Sequence, residues 1–113
     1  MTSYKRGDVI LVQFPFTDGS GSKKRTALVV SSDLYNSTTP DVLIASLTSN
    51  LTAVSHPGDH VLVDWKAANL LFPSLAQTKI ATVEASSIER KLGELSPSDF
   101  AAFAAGLRQA FDL

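Results

Sequence analysis

Three consecutive cations, Lys23, Lys24 and Arg25, stand between a loop of small polar residues and a run of strand formers, Thr26-Ala-Leu-Val-Val-Ser31. That pattern suits phosphate chemistry. The loop, Thr17-Asp-Gly-Ser-Gly-Ser22, contains only turn formers and no hydrophobic anchor. Its backbone amides and the lysines after it can therefore settle against a phosphate chain. Arg25, at the first residue of the expected strand, offers a planar fork of donors that stays charged. On composition alone the same stretch also reads as a hairpin loop with solubilising lysines. A nucleotide cradle of the common kinds is absent, since neither G-x-G-x-x-G nor a P-loop pattern occurs.

Arg25 acquires a partner if its strand, 25–31, forms a hairpin with the next, 42–48. Pairing Ser31 with Val42 gives opposed residues whose numbers add to 73, and Arg25 then stands across from Thr48. Opposed residues point to the same face, so guanidinium and hydroxyl would share the open end of the hairpin beside the polar loop. A slip of one residue would destroy the pairing. Arg25 suits charge stabilisation on a phosphorane, and Thr48 can donate to the same oxygens or orient a ribose hydroxyl. Neither is an ordinary general base. By residue type alone, Arg25 is a solvated strand-end cation and Thr48 a plain β-former.

Other chemistry-bearing residues form weaker constellations. His56 and His60 flank Pro57-Gly58-Asp59, where they suit an acid–base pair or part of a metal site, but no further ligands accompany them. No metal or other cofactor is expected. Phe14, Phe16, Trp65 and Phe72 can stack bases if exposed, with Phe16 the best placed beside the loop. The serines Ser31, Ser32, Ser86 and Ser87 lie in no nucleophile motif.

The elements that must position these residues are mainly strands. Residues 9–14 are apolar and β-branched, as a strand covered on both faces requires, with Gly7-Asp8 as a turn before it and Pro15 ending it. Further strands are expected at 25–31, 42–48, 60–64 and 75–83, with a turn-rich connection at 32–41 and a short helical turn at 66–71. The clearest helix comes last. Ser96 is its N-cap, Pro97 stands at N1, Asp99 at N3 completes an acidic capping box, and Leu95 with Phe100 forms a hydrophobic staple. Phe100, Phe103, Ala104, Leu107, Ala110 and Phe111 make its apolar stripe. Short strands followed by one amphipathic helix imply a mainly β, compact, strongly bent sheet or small barrel with a packed helix.

Composition sets the outer bounds. At 113 residues, residues 1–113 are expected to form a single domain. The chain is 44% hydrophobic and 19% charged, with a formal net charge of −1, so phosphate binding must come from a local cluster rather than bulk charge. Cysteine is absent, which removes disulfides and thiolate catalysis. No apolar run spans a bilayer, and the N-terminus lacks a signal-peptide core, so the expected compartment is the cytoplasm.

The order of these residues resembles the MazF/PemK family of toxins from type II toxin–antitoxin pairs. The likeness is carried by Arg6-Gly-Asp-Val-Ile-Leu-Val, Lys24-Arg25-Thr26-Ala-Leu-Val-Val-Ser31, Val42-Leu-Ile-Ala-Ser-Leu-Thr48, Leu75-Ala-Gln77 and Leu92-Gly-Glu-Leu-Ser96. It implies an SH3-like small β-barrel of about five to seven strands with a C-terminal α-helix, as in CcdB and PemK. It also implies a homodimer whose groove takes single-stranded RNA. The family's catalytic pair, an arginine opening the second strand and a threonine or serine closing the third, matches Arg25 and Thr48. RNA contacts would fall on Phe16, Thr17, Asp18, Gly19, Ser20, Lys23, Lys24, Ser49, Asn50 and Gln77. Cleavage would be metal-independent and sequence-specific, leaving a 2′,3′-cyclic phosphate and a 5′-hydroxyl. A cognate antitoxin with an acidic, partly disordered tail would compete for the same cations. One departure stands out: Thr26 follows the arginine where the family usually has proline, which leaves the start of this strand less stiff. Two other readings are a CcdB-like, non-enzymatic poison of DNA gyrase and an inactive SH3-like binding module.

Overall fold

β1 (Asp8–Pro15) opens with an unbroken apolar run, Val9-Ile-Leu-Val12, and Val9 and Ile10, neighbours on opposite faces of it, are both 0% exposed. The computed structural model describes residues 3–15, 22–53 and 55–113. β2 (Ser22–Val29), α1 (Asp33–Thr38), β3 (Asp41–Thr48), β4 (His60–Val61), β5 (Leu75–Glu84), β6 (Ile88–Glu94) and α2 (Pro97–Phe111) follow. The strands form one sheet in the order β4-β5-β3-β2-β1-β6, and every pairing is antiparallel. The expected small barrel is built from one six-stranded antiparallel sheet, with β4 and β6 at the two ends of its strand order.

Each face of the sheet holds a core. On one, Val9, Leu28, Ala45, Leu47 and Ala76 pack with Phe103 of α2. On the other, Ile10, Val12, Ala27, Val29, Val42 and Ile44 close with Val83 and Ile88. Strict alternation between the two clusters along β1, β2 and β3 follows from the two-residue period of a strand.

The C-terminal helix starts as expected at Ser96, whose Oγ accepts from the Asp99 amide at 3.2 Å. The other half of the capping box is not made. The buried Asp99 carboxylate reaches across to the segment after β4, where Oδ1 accepts from the Val63 amide at 3.0 Å and Oδ2 from the Asp64 amide at 2.8 Å. His60 Nε2 lies 2.8 Å from the same carboxylate. Those amides cannot serve a ladder as well, so the strand expected at 60–64 is only His60–Val61. Leu95 and Phe100 do pack at the staple. The helix stripe is buried at Phe103 and Ala104 but emerges at its end, where Phe111 is exposed.

Three other expectations change. The connection at 32–41 contains a helix, α1, capped by Ser32 Oγ and tied down by Asn36, whose Nδ2 donates to the Tyr4 and Ser31 carbonyls. β2 begins at Ser22, so Arg25 is its fourth residue rather than its first. β6 had no expectation at all, because its sequence Ile-Glu-Arg-Lys-Leu-Gly-Glu is charged as edge strands are and shows no apolar alternation. Among the described residues no helix is long and apolar enough to cross a membrane.

Candidate active site

The hairpin of β2 and β3 has the register assumed from the sequence. Ala27 pairs with Ser46, Leu28 with Ala45 and Val29 with Ile44, and each pair of numbers adds to 73. The paired rungs end at Ala27–Ser46, two residues short of Arg25 and Thr48. Beyond that point β2 stays with β1, through Arg25↔Val12, while β3 stays with β5, through Thr48↔Leu75. The two strands therefore part, and the gap between them is one side of a cleft of about 570 Å³ lined by both Arg25 and Thr48.

The remaining walls come from two places. β1 and β6 contribute Leu11, Arg90 and Leu92, and the segment before β5 contributes Asn69, Leu70, Leu71, Phe72 and Ser74. That segment is held by a compact turn in which Ala68 donates to Asp64 and Leu70 to Trp65, both at 3.1 Å. Asn69, at φ 66°, then anchors it by donating from Nδ2 to the Leu92 carbonyl of β6 at 2.8 Å. The helical turn expected at 66–71 is this wrap. Gly93 makes the close packing possible, because a Cβ there would stand 2.4 Å from the Ala68 carbonyl oxygen.

Chemically, the cleft is cationic and polar on an apolar floor. Two arginines, Arg25 and Arg90, line it with Thr26, Thr48, Ser49, Asn69 and Ser74, and among the described residues no carboxylate or imidazole does. Thr48 Oγ1 accepts from the Asn50 amide at 3.1 Å, which leaves its hydroxyl proton for an incoming acceptor. Two guanidinium groups and several hydroxyls in one lining suit an anion.

The sequence pattern described as PemK-like, MazF-like toxin of type II toxin-antitoxin system matches residues 5–111. The chain belongs to this family. Solved structures share the fold. A mycobacterial endoribonuclease in complex with its cognate antitoxin has a TM-score of 0.75 at 23% identity, covering 100% of this chain and 97% of that one. MazE–MazF from Deinococcus radiodurans has a TM-score of 0.79 at 18% identity, covering 99% of each chain. The Mycobacterium tuberculosis toxin MazF-mt6 has a TM-score of 0.72 at 20% identity, covering 94% of this chain and 97% of that one. No curated protein sequence matches the chain.

Within this MazF/PemK-like chain the sequence-derived residues separate into groups. Arg25, Thr48 and Ser49 come together in the cleft. Asn50 lies exposed beside it, its side chain accepting from the Thr52 amide and hydroxyl at 3.1 and 2.7 Å. Lys24 is exposed and paired with Glu89 at 2.6 Å. Gln77 is only 3% exposed and does not line the cleft. It falls in a bulge: between Ala45 and Leu47 of β3 lies one residue, and between their partners Ile80 and Ala76 lie three. Phe16, Thr17, Asp18, Gly19 and Ser20 lie outside the described residues, as does the side chain of Lys23.

The histidines have separate structural partners. His60 pairs with Asp99 at 2.8 Å and His56 with Asp59 at 3.8 Å. Burial raises the Asp99 carboxyl, but the Val63 amide, the His60 ring and the Asp64 amide outweigh it, and its pKa lies below the ordinary value. Asp59 is lowered in the same way, with burial opposed by donation from the His56 amide and from the Thr78 amide and hydroxyl. Trp65 packs against the core, whereas Phe72, 61% exposed, lines the cleft. Sequence reasoning missed Arg90, which belongs to the strand it did not read.

Proposed function

We propose that this chain is the toxin of a type II toxin–antitoxin pair and cuts single-stranded RNA at short recognition sequences without a metal ion. The observation that carries the reading is the convergence of Arg25 and Thr48 on one cleft that holds a second arginine. The 2′-oxygen of a ribose attacks the adjacent phosphorus, the P–O2′ bond forms, and the P–O5′ bond breaks. The 2′-hydroxyl loses a proton and the departing 5′-oxygen gains one, so the products are a 2′,3′-cyclic phosphate and a 5′-hydroxyl. Arg25 holds the non-bridging oxygens as negative charge builds on the phosphorane, and the Thr48 hydroxyl donates to the same oxygens. With two arginines and the Thr48 hydroxyl in its described lining, the cleft works by charge stabilisation and alignment.

Lys24, Ser49 and Asn50 grip the RNA around the cleft, with Phe72 offering a face for base stacking. Gln77, buried in the β5 bulge, takes no part. The chain works as a homodimer. Val61 and Val63 project apolar surface, as do Leu71 and Phe72, and the two segments are joined by the Leu62 amide donating to the Ser74 carbonyl at 2.9 Å. An exposed apolar strip of this kind is a contact surface. The cognate antitoxin blocks the cleft with an acidic segment that takes the place of RNA phosphates at the arginines.

The test is the chemistry of the cut ends. Long single-stranded RNA treated with the purified protein in excess EDTA is expected to give discrete fragments. Their new 5′ ends accept phosphate from a kinase without prior phosphatase, and their 3′ ends are blocked until the cyclic phosphate is opened and the resulting monoester removed. Fragments bearing 5′-phosphates, or intact RNA, would refute the assignment.

A further inference from the structure

Arg90 reaches the cleft through a defect in its strand. In the ladder between β1 and β6, Leu11 pairs with Arg90 but the next residue, Val12, pairs with Ile88, so Glu89 is an extra residue on β6. Ile88 packs into the core cluster of Ile10 and Val12. In a regular strand Arg90, two residues on, would share that face. The bulge reverses the alternation and turns Arg90 to the face of its partner Leu11, where both line the cleft. Bulges re-aim single side chains in this way, and they concentrate beside functional sites.

The neighbouring cations are already engaged. Lys24 is paired with Glu89 at 2.6 Å, and Lys91 with Glu94 at 2.7 Å and Asp8 at 3.2 Å. Arg90 is exposed and, among the described residues, has no ion pair or side-chain hydrogen bond. Its position relative to Arg25 is set by the sheet. Thr26, next to Arg25, pairs with Leu11, and Leu11 pairs with Arg90, so two inter-strand spacings, about 10 Å, separate the backbones. Arg25, paired with Val12, starts from the opposite face of the sheet, yet both arginines border the one cleft, so a strand lying in it can meet each with a different phosphate.

We infer that Arg90 is a second phosphate clamp, binding the RNA backbone at a phosphate beside the scissile one while Arg25 holds the scissile phosphate itself. The inference rests on the ribonuclease reading above. Arg90 contacts its phosphate equally before and during the reaction, so its loss weakens binding and leaves the chemical step alone. Arg25, in contrast, acts where charge develops.

The experiment measures binding and turnover on one RNA containing a site cut by the wild-type protein, with an all-deoxy copy of that strand as the uncleavable probe. Arg90→Ala is expected to weaken binding about tenfold at low salt. The slope of log affinity against log salt becomes shallower by about 0.7, the value for one phosphate contact on a single strand. KM rises to match, kcat stays within about twofold, and the cut sites do not move. Arg90→Lys, which keeps the charge, retains the slope. Lys79→Ala, an exposed β5 cation outside the cleft, serves as the control and changes nothing.

Equal binding, slope and KM for Arg90→Ala, with the wild type cutting normally, would overturn the inference alone. Relaxed cut-site choice at an unchanged salt slope would mean that Arg90 reads a base edge, and would also overturn it. A wild-type protein that cuts no RNA removes the ribonuclease reading, and the clamp falls with it. Thermal unfolding of each variant separates lost contact from lost fold, and Arg90→Gln carries the same comparison should the alanine variant unfold.

Discussion

Arg25 and Thr48 are brought to one cleft by the hairpin register. That register was legible in the sequence because two runs of strand formers flank a turn-rich connection, and a single pairing choice fixes every opposed residue. The sequence did not reveal that the rungs stop at Ala27–Ser46 and that the cleft begins there. Strand separation depends on what β1 and β5 offer each partner, which no local pattern records. The Thr48 hydroxyl accepts from the Asn50 amide and keeps its proton to donate. Thr48→Val, which keeps the shape, is expected to lower kcat for RNA cleavage by about 10²–10³-fold with little change in KM. Thr48→Ser is expected to retain most of the activity. Single-turnover kinetics on a fixed RNA site check both, and full activity in Thr48→Val would remove the hydroxyl from the mechanism.

At the scale of elements, the pieces that shape the cleft are the ones the sequence hid. β6 reads as a charged segment, and its bulge at Glu89 depends on the register with β1. The capping residue Asp99 was visible at N3, yet its carboxylate serves β4 from 35 residues away, at the Asp64 amide. Its pKa is lowered in the folded chain, so its contribution is fully present above the unfolded value, about 3.9. That contribution is lost as pH falls from there through the folded value. Asp99→Asn is expected to reduce stability at neutral pH and to flatten the acid decline below about pH 4, measured by denaturant unfolding across pH. An unchanged acid decline would contradict the role given to this carboxylate. Gly93 is the second such element. Gly93→Ala drives a Cβ against the Ala68 carbonyl and displaces the wall made by residues 69–74. A loss of about 2 kcal/mol, seen as a thermal midpoint lower by roughly 10 °C, is expected together with weaker cleavage. An unaltered midpoint would show that this wall is not held by the close approach at Gly93.

Across the whole molecule, the architecture was the most readable level. Strand runs, turn formers and one capped amphipathic helix point to a β-sheet with a packed helix, and the two core clusters follow the two-residue alternation of the strands. The edge strand β4 is cut short where Asp99 takes the Val63 and Asp64 amides. A net charge of −1 leaves room for local phosphate binding, because the described cleft lining carries two arginines. The central claim, that this cleft cuts RNA through Arg25 without a metal, has one direct measurement. Single-turnover cleavage of a long single-stranded RNA is followed in excess EDTA for the wild type and for Arg25→Ala. The expected result is discrete cutting at the same sites with and without EDTA, and a rate at least about 10³-fold lower in Arg25→Ala. Cutting that stops in EDTA, or equal cutting by the two proteins, would contradict it.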